Sequence, residues 1–417
     1  MKRQKWVTLT LAIVVILLAV PLLMSACSSE EATPTSTPNP TGTTQATKTP
    51  APTVAKAPYK FGASIALTGA GAPLGTAEKK GIETAVDYIN KVWGGINGHQ
   101  VQAIIYDDKT SPDQAIANVN KLIFEDKVIG VQGGSNGGST LAIAPILNTN
   151  KIVQMTCTGV VSPAVESTYA YEFQTAPTQY LNADATLAYI TKAWGAKKIA
   201  VLHASDSYGA TAIPTLTAVL QKYGVQIVSD QTYDFTDTDM TAQWIKIRSA
   251  NPDAAILWGS GAPPAIAIKN ARTLQLTFPI MGTLGMASQG FLDSAGIASQ
   301  GITIPAFIVG DNPLPRQKDF VDAYHAKFNA YPTFYDSMGW DGVMLMANAL
   351  KRMGGPDVVD TDQFRAAFQA EVQATKDLPL ASAAYTMSPT DHTGIKLSDY
   401  VYIQVNNGKF ERLTFTP

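Results

Sequence analysis

Residues 133–140 read GGSNGGST. Gly-x-x-x-x-Gly followed by Ser-Thr is one lysine short of a nucleotide-binding phosphate loop, which continues Gly-Lys-Ser/Thr. Ser139 stands in the lysine's place. Glycines let backbone N–H groups approach a ligand closely, and a helix opening after the loop adds a positive partial charge. With Gly138 beside the hydroxyl donors Ser139 and Thr140, such a loop holds an anion without a lysine. One carboxylate, with a single charge and two oxygens, suits it better than a triphosphate. Judged alone, the loop is also compatible with a glycine-rich turn that binds nothing.

Other chemistry is thin. GAGAPLG from Gly69 has Gly-x-Gly, but the next glycine falls one residue late for a dinucleotide fingerprint, at Gly75. It reads as a turn over the same cleft. His99, His203, His325 and His392 are scattered without ligand spacing, so no metal and no cofactor are expected. Asp107 and Asp108 are adjacent at a strand end, point to opposite faces, and read as caps and solvated charges. DFTDTD at 234–239 lacks the Gly and distal Glu of a calcium loop and reads as a helix start. No Gly-x-Ser-x-Gly elbow and no nucleophile–base pair is visible, so no enzyme is expected.

The elements that must position the loop alternate. Strands are expected at 59–67, 101–106, 127–132 and 151–155, and helices at 76–92, 112–126 and 139–147. The rhythm repeats with helices at 179–194, 208–223, 240–250 and 264–274 between strands KKIAVLH, VQIVSD, DAAILW and FPIMG. Alternation of this kind builds parallel sheets, and two runs suggest two lobes. The tail YVYIQVNNGKFERLTF differs, because Asn406-Asn407-Gly408 between alternating residues signals a hairpin. In open α/β sheets ligands bind beyond the carboxyl ends of the strands, which is where GGSNGGST falls.

The chain begins MKRQKW, followed by an apolar run over 9–23 that is shorter than the ~20 residues of a membrane span. With Ser25 and Ala26 before Cys27, this reads as a secretory signal. Residues 28–57 are Thr, Pro, Ser and Ala with little to bury and read as a disordered tether. The formal net charge is −2 and no basic stripe occurs, so nucleic acid is not an expected partner. Cys157 is the only cysteine besides Cys27 and follows the apolar IVQM, so it reads as a buried small hydrophobe.

Met24-Ser25-Ala26-Cys27 resembles a bacterial lipoprotein box, with Met24 where Leu is usual. The resemblance implies a lipid-anchored Cys27; a plain secreted protein and an uncleaved anchor are the alternatives. From residue 58 onward the chain is similar to solute-binding proteins of branched-chain amino acid ABC importers, the leucine/isoleucine/valine-binding type. GGINGHQVQAIIYDDKTSPDQA, VIGVQGGSNGGST, VLHASDSYGAT, FVDAYHAKF, YPTFYDSMGWDGVMLMANAL and DHTG carry that resemblance in order. It implies a type I periplasmic-binding-protein fold. Each lobe is a mainly parallel sheet flanked by helices, and three hinge crossings join them near 173–176, 302–308 and 392–402. Lobe 1 would be 58–175 and 309–395, and lobe 2 would be 176–308 and 396–417.

The resemblance further implies an extracytoplasmic monomer, anchored to the membrane through lipid, that serves an ABC permease and ATPase. A sensor that delivers its closed form to a membrane receptor is the alternative. The family's carboxylate site maps onto Ser139 and Thr140, and its second half onto 158–162, where Thr158 or Ser162 supplies the donor. Its covering tyrosine maps to Tyr208, and Gly261 lies on the same side. The family's acid that grips the ligand's ammonium falls at Leu284, and no charged residue occurs between Arg272 and Asp293. Asp206 or another acid supplies that charge, or the ligand has no amine. The ligand class implied is a branched-chain or hydrophobic amino acid or a related small carboxylate.

Overall fold

The strand β1 (Tyr59–Ile65) is buried at nearly every position, as a strand covered on both faces must be. It lies between β2 and β3 in a five-stranded sheet ordered β2-β1-β3-β4-β5. The others are β2 (Val101–Asp107), β3 (Gly130–Gly133), β4 (Val153–Thr156) and β5 (Glu172–Gln174), and every pair is parallel. The computed structural model describes residues 56–159 and 168–417. The expected signal, Cys27, nearly all of the tether, and Ser162 lie outside the described residues.

A second sheet repeats the plan. Its parallel strands are β6 (Lys198–Ala204), β7 (Gln226–Tyr233), β8 (Ala254–Trp258), β9 (Ile280–Gly282) and β10 (Thr303–Ala306). After β11 (Leu378–Pro379) and β12 (Ala384–Tyr385), which pair only with each other, β13 (Val401–Asn406) and β14 (Lys409–Leu413) join antiparallel to give the seven-stranded order β14-β13-β10-β9-β8-β6-β7. The β13–β14 turn is Asn407-Gly408 with φ of 48° and 75°, the left-handed pair that a two-residue hairpin needs. Both sheets reverse strand order beside their first strand, and a crevice opens at such a reversal.

The chain passes from the first sheet to the second after β5. It returns after β10 to form the helices Lys318–Phe328 and Phe334–Arg352, which pack on the helix Ala72–Lys91 beside the first sheet. It crosses again before β13. Buried Asp341 ties the returning segment down: it accepts the amides of Ala381 and Ser382 and the Tyr385 phenol, and burial pushes its carboxyl up to about 6. The helix Asp362–Gln373 and the β11–β12 pair have no counterpart in the sequence reading.

Two helix starts differ from expectation, and both matter to the cleft. The helix expected from 76 begins at Ala72, because Pro73 sits in its first turn, where a missing N–H costs nothing. The helix expected from 139 is Gly137–Thr149. Its N-cap is Asn136, whose side-chain oxygen accepts the Ser139 amide at 3.0 Å. Asn caps as well as Ser, and here it precedes it.

Candidate functional site

The carboxyl ends of the two sheets face each other across a cavity of about 330 Å³. One lobe contributes the turns after β1, β3 and β4; the other contributes those after β6, β8 and β9. Gly261 and Ala70 bring the lobes close at its rim: a Cβ on Gly261 would lie 3.6 Å from the Ala70 carbonyl oxygen.

On the first lobe the lining is Ser135, Asn136, Gly137 and Gly138, followed by Cys157 and Thr158. Gly137 and Gly138 open the helix, and first-turn amides have no intrahelical partner. They therefore offer two donors and the positive end of the helix dipole to the cavity. Behind them Ser135 Oγ accepts the Ala66 amide at 3.0 Å and stands 2.5 Å from Glu78 Oε2. Glu78 is fully buried in the helix Ala72–Lys91, and burial pushes its carboxyl up to about 8, with Asp108 and Asp336 adding to the rise.

The second lobe brings Tyr208, Leu284, Phe235 and Ser260, and Phe334 and Tyr335 close the floor. Tyr208 Oη is buried near Thr283, Asn182 and the Gly285 backbone, and burial holds the phenol protonated. It is therefore a donor on the second lobe's side of the cavity. Leu284 is 3% exposed. Among the described residues the only charged side chain in the lining is Asp206, one of whose oxygens accepts the Gly209 amide at 2.7 Å.

The structure brings together four of the residues singled out from sequence: Gly138, Thr158, Tyr208 and Leu284. Ser139 and Thr140 are fully buried behind the lining. The Ser139 hydroxyl lies 3.2 Å from Asn136 Nδ2 and bonds the Asp108 carboxyl. The Thr140 hydroxyl is shared among the carbonyls of Gly134 and Asn136 and the Thr156 hydroxyl. The physical reason is the earlier helix start, which moves the mouth from Ser139 back to Asn136–Gly138. Gly261 lies beside the lining residue Ser260 and does not line the cavity itself.

Asp108 departs from its reading as a solvated charge: it is buried, and its carboxyl is raised by that burial. Asp107 is a cap as expected, accepting the amides of Leu67, Thr68 and Lys109. Cys157 is a buried free thiol, pushed well above its ordinary range by desolvation. Trp258 is fully buried in the second lobe's core and tilts against Tyr208 with 6.0 Å between ring centroids. Sequence reasoning missed Ser135, Glu78, Phe334 and Tyr335. Only Ser135 carried a signal, as a hydroxyl inside the glycine loop. Among the described residues no group of His, Cys, Asp and Glu could hold a metal, and no helix is long and apolar enough to cross a membrane.

Comparison with known proteins agrees with this geometry. The family described as periplasmic binding protein matches residues 58–409. The leucine-, isoleucine-, valine-, threonine-, and alanine-binding protein of Pseudomonas aeruginosa is 25% identical over 293 residues, covering 70% of this chain and 77% of that one. An amino acid binding protein of the same organism is 26% identical over 350 residues, covering 83% and 90%. The crystal structure of an extracellular ligand-binding receptor from Rhodopseudomonas palustris HaA2 matches with a TM-score of 0.78 at 28% identity, covering 86% of this chain and all of that one. All three are named as binding proteins or ligand-binding receptors. A two-lobed α/β scaffold with parallel sheets and a cleft between their carboxyl ends, matched over nearly its whole folded length, makes the chain a member of the periplasmic binding protein family, in its type I form.

Proposed function

We propose that the protein is an extracytoplasmic solute-binding lipoprotein, held on the membrane by Cys27, that captures a small apolar carboxylate lacking an amine and delivers it to an ABC permease and ATPase. The names of its relatives support an amino-acid-sized ligand. The observation that carries the narrower reading is the cleft's polarity. Donors line the first lobe, at the Gly137 and Gly138 amides, Ser135 and Thr158, and Tyr208 adds one from the second lobe, where Leu284 occupies the wall a counter-charge for an ammonium would take.

A cavity of about 330 Å³ suits a monocarboxylate the size of benzoate or 4-methylpentanoate. Burying an ammonium against Leu284 without a carboxylate costs several kcal/mol. Capture would work by hinge closure. The ligand favours the closed form only through contacts made better there, and it bridges the first lobe's amides to Tyr208 and Leu284 of the second.

The test is a thermal-shift comparison of matched acids with and without the amine: 4-methylpentanoate against leucine, and 3-phenylpropanoate or benzoate against phenylalanine. The amine-free member of each pair should stabilise the protein. Stabilisation by leucine or phenylalanine alone would assign the counter-charge to Asp206 and overturn the reading.

A further inference from the structure

Glu78 has no role in the cleft as described so far, yet it touches the cleft's donor cluster. Ser135 Oγ has three neighbours in play: the Ala66 amide at 3.0 Å, Glu78 Oε2 at 2.5 Å, and the cavity. The Ala66 amide can only donate, so it takes one oxygen lone pair. The hydroxyl has a single hydrogen. If Glu78 is ionised it can only accept, and that hydrogen must point to it. Ser135 then turns a lone pair toward the cavity, with a buried negative charge behind it. If Glu78 carries a proton, the carboxyl donates to Ser135 Oγ and the hydroxyl hydrogen is free to point into the cavity.

We propose that Glu78 is a positioning residue for the anion site: its protonated carboxyl donates to Ser135 Oγ and directs the Ser135 hydroxyl hydrogen at the bound carboxylate. This rests on the carboxylate reading above. The surroundings favour the protonated form. Glu78 is fully buried, and its Oε1 has no partner among the described residues. The titratable groups that face it are Asp108 after β2, Cys157 after β4, and Tyr335 and Asp336 of the helix Phe334–Arg352. None of them is a cation. Cys157 and Tyr335 are held neutral by burial, and the two aspartates oppose a further negative charge.

The consequence is that carboxylate binding is linked to a proton on Glu78. With the free carboxyl at about 8, affinity should be flat below that pH and fall about tenfold per unit above it. Ligand binding at high pH then takes up one proton from solvent.

The experiment is isothermal titration of the full-length protein with benzoate, which is ionised throughout, from about pH 6.5 to about pH 9.5, at the upper end in two buffers of different ionisation enthalpy. Wild type should lose at least tenfold in affinity across the range and show proton uptake. Glu78→Gln, whose amide N–H donates to Ser135 as the acid does, should flatten the profile and bind at least about tenfold tighter than wild type at the upper end. Ser135→Ala should bind more weakly than wild type at the lower end and lose the dependence. Circular dichroism melts establish that each variant is folded. Wild-type binding that is flat across the range, or a Glu78→Gln profile that still falls, overturns the role of Glu78 and leaves the carboxylate reading standing. Failure of benzoate and 4-methylpentanoate to bind at any pH overturns both.

Discussion

Leu284→Glu should cut benzoate or 4-methylpentanoate affinity by roughly 100-fold or more and bring leucine or phenylalanine into the measurable range. Leu284 is 3% exposed and lines the cleft from the lobe that faces the glycine loop. A carboxylate there is desolvated beside the ligand's own carboxylate, and an uncompensated buried charge costs ~3–5 kcal/mol. An α-amino acid reverses the sign of that effect, because its ammonium supplies the missing partner. Isothermal titration of wild type and variant with both ligand classes measures the crossover. A variant that loses every ligand alike, while still melting as wild type does, would place the ligand's polar end away from Leu284.

The second large effect is on the scaffold. Gly81 and Gly339 are where the helices Ala72–Lys91 and Phe334–Arg352 meet backbone to backbone. A Cβ on Gly81 would stand 1.9 Å from the Asp336 carbonyl oxygen, and one on Gly339 would stand 2.1 Å from the Glu78 carbonyl oxygen. Backbone cannot give way as a flexible side chain does. Gly81→Val must therefore push the helices apart at the level of Glu78, and Phe334 and Tyr335 ride on the helix that moves. We expect a loss of ~3 kcal/mol or more in unfolding free energy, at the upper end of overpacking effects, together with weaker ligand binding. Denaturant unfolding of Gly81→Val and Gly339→Val measures the cost. Melting within about a degree of wild type would show that the two helices are free to separate.

The two-lobed plan was legible because its strands are continuous apolar runs and its helices are punctuated by proline and glycine. IAVL in β6 is buried at every position, as a strand covered on both faces should be. The hairpin was legible for a local reason, since Asn407-Gly408 has one favoured geometry. The site was legible as a loop and off by two residues in register. Glycines are poor helix formers, so the helix looked as if it began after them. The Asn136 cap overrides that preference, and it moves the donors from the Ser139 and Thr140 hydroxyls to Ser135 and the Gly137 and Gly138 amides.

Glu78 was invisible for the opposite reason. Followed by Lys79 and Lys80 on a helix, it looks like part of a solvated charged face. Only the helix Phe334–Arg352, more than 250 residues away in sequence and laid over it through glycine, removes it from water. No local pattern encodes that contact. Leu284 was legible by default, since a stretch without charge between Arg272 and Asp293 offers no acid to place.

The central claim is that a helix mouth of free amides, closed over by a facing lobe that sets Leu284 where a counter-charge for an ammonium would stand, selects a small apolar carboxylate. The crystal structure of the protein grown with benzoate tests it most directly. The predicted result places the carboxylate within hydrogen-bond reach of the Gly137 and Gly138 amides and the Ser135 hydroxyl, with the ring against Leu284 and Tyr208. Density for benzoate anywhere else, with the cleft holding only solvent, would contradict the account.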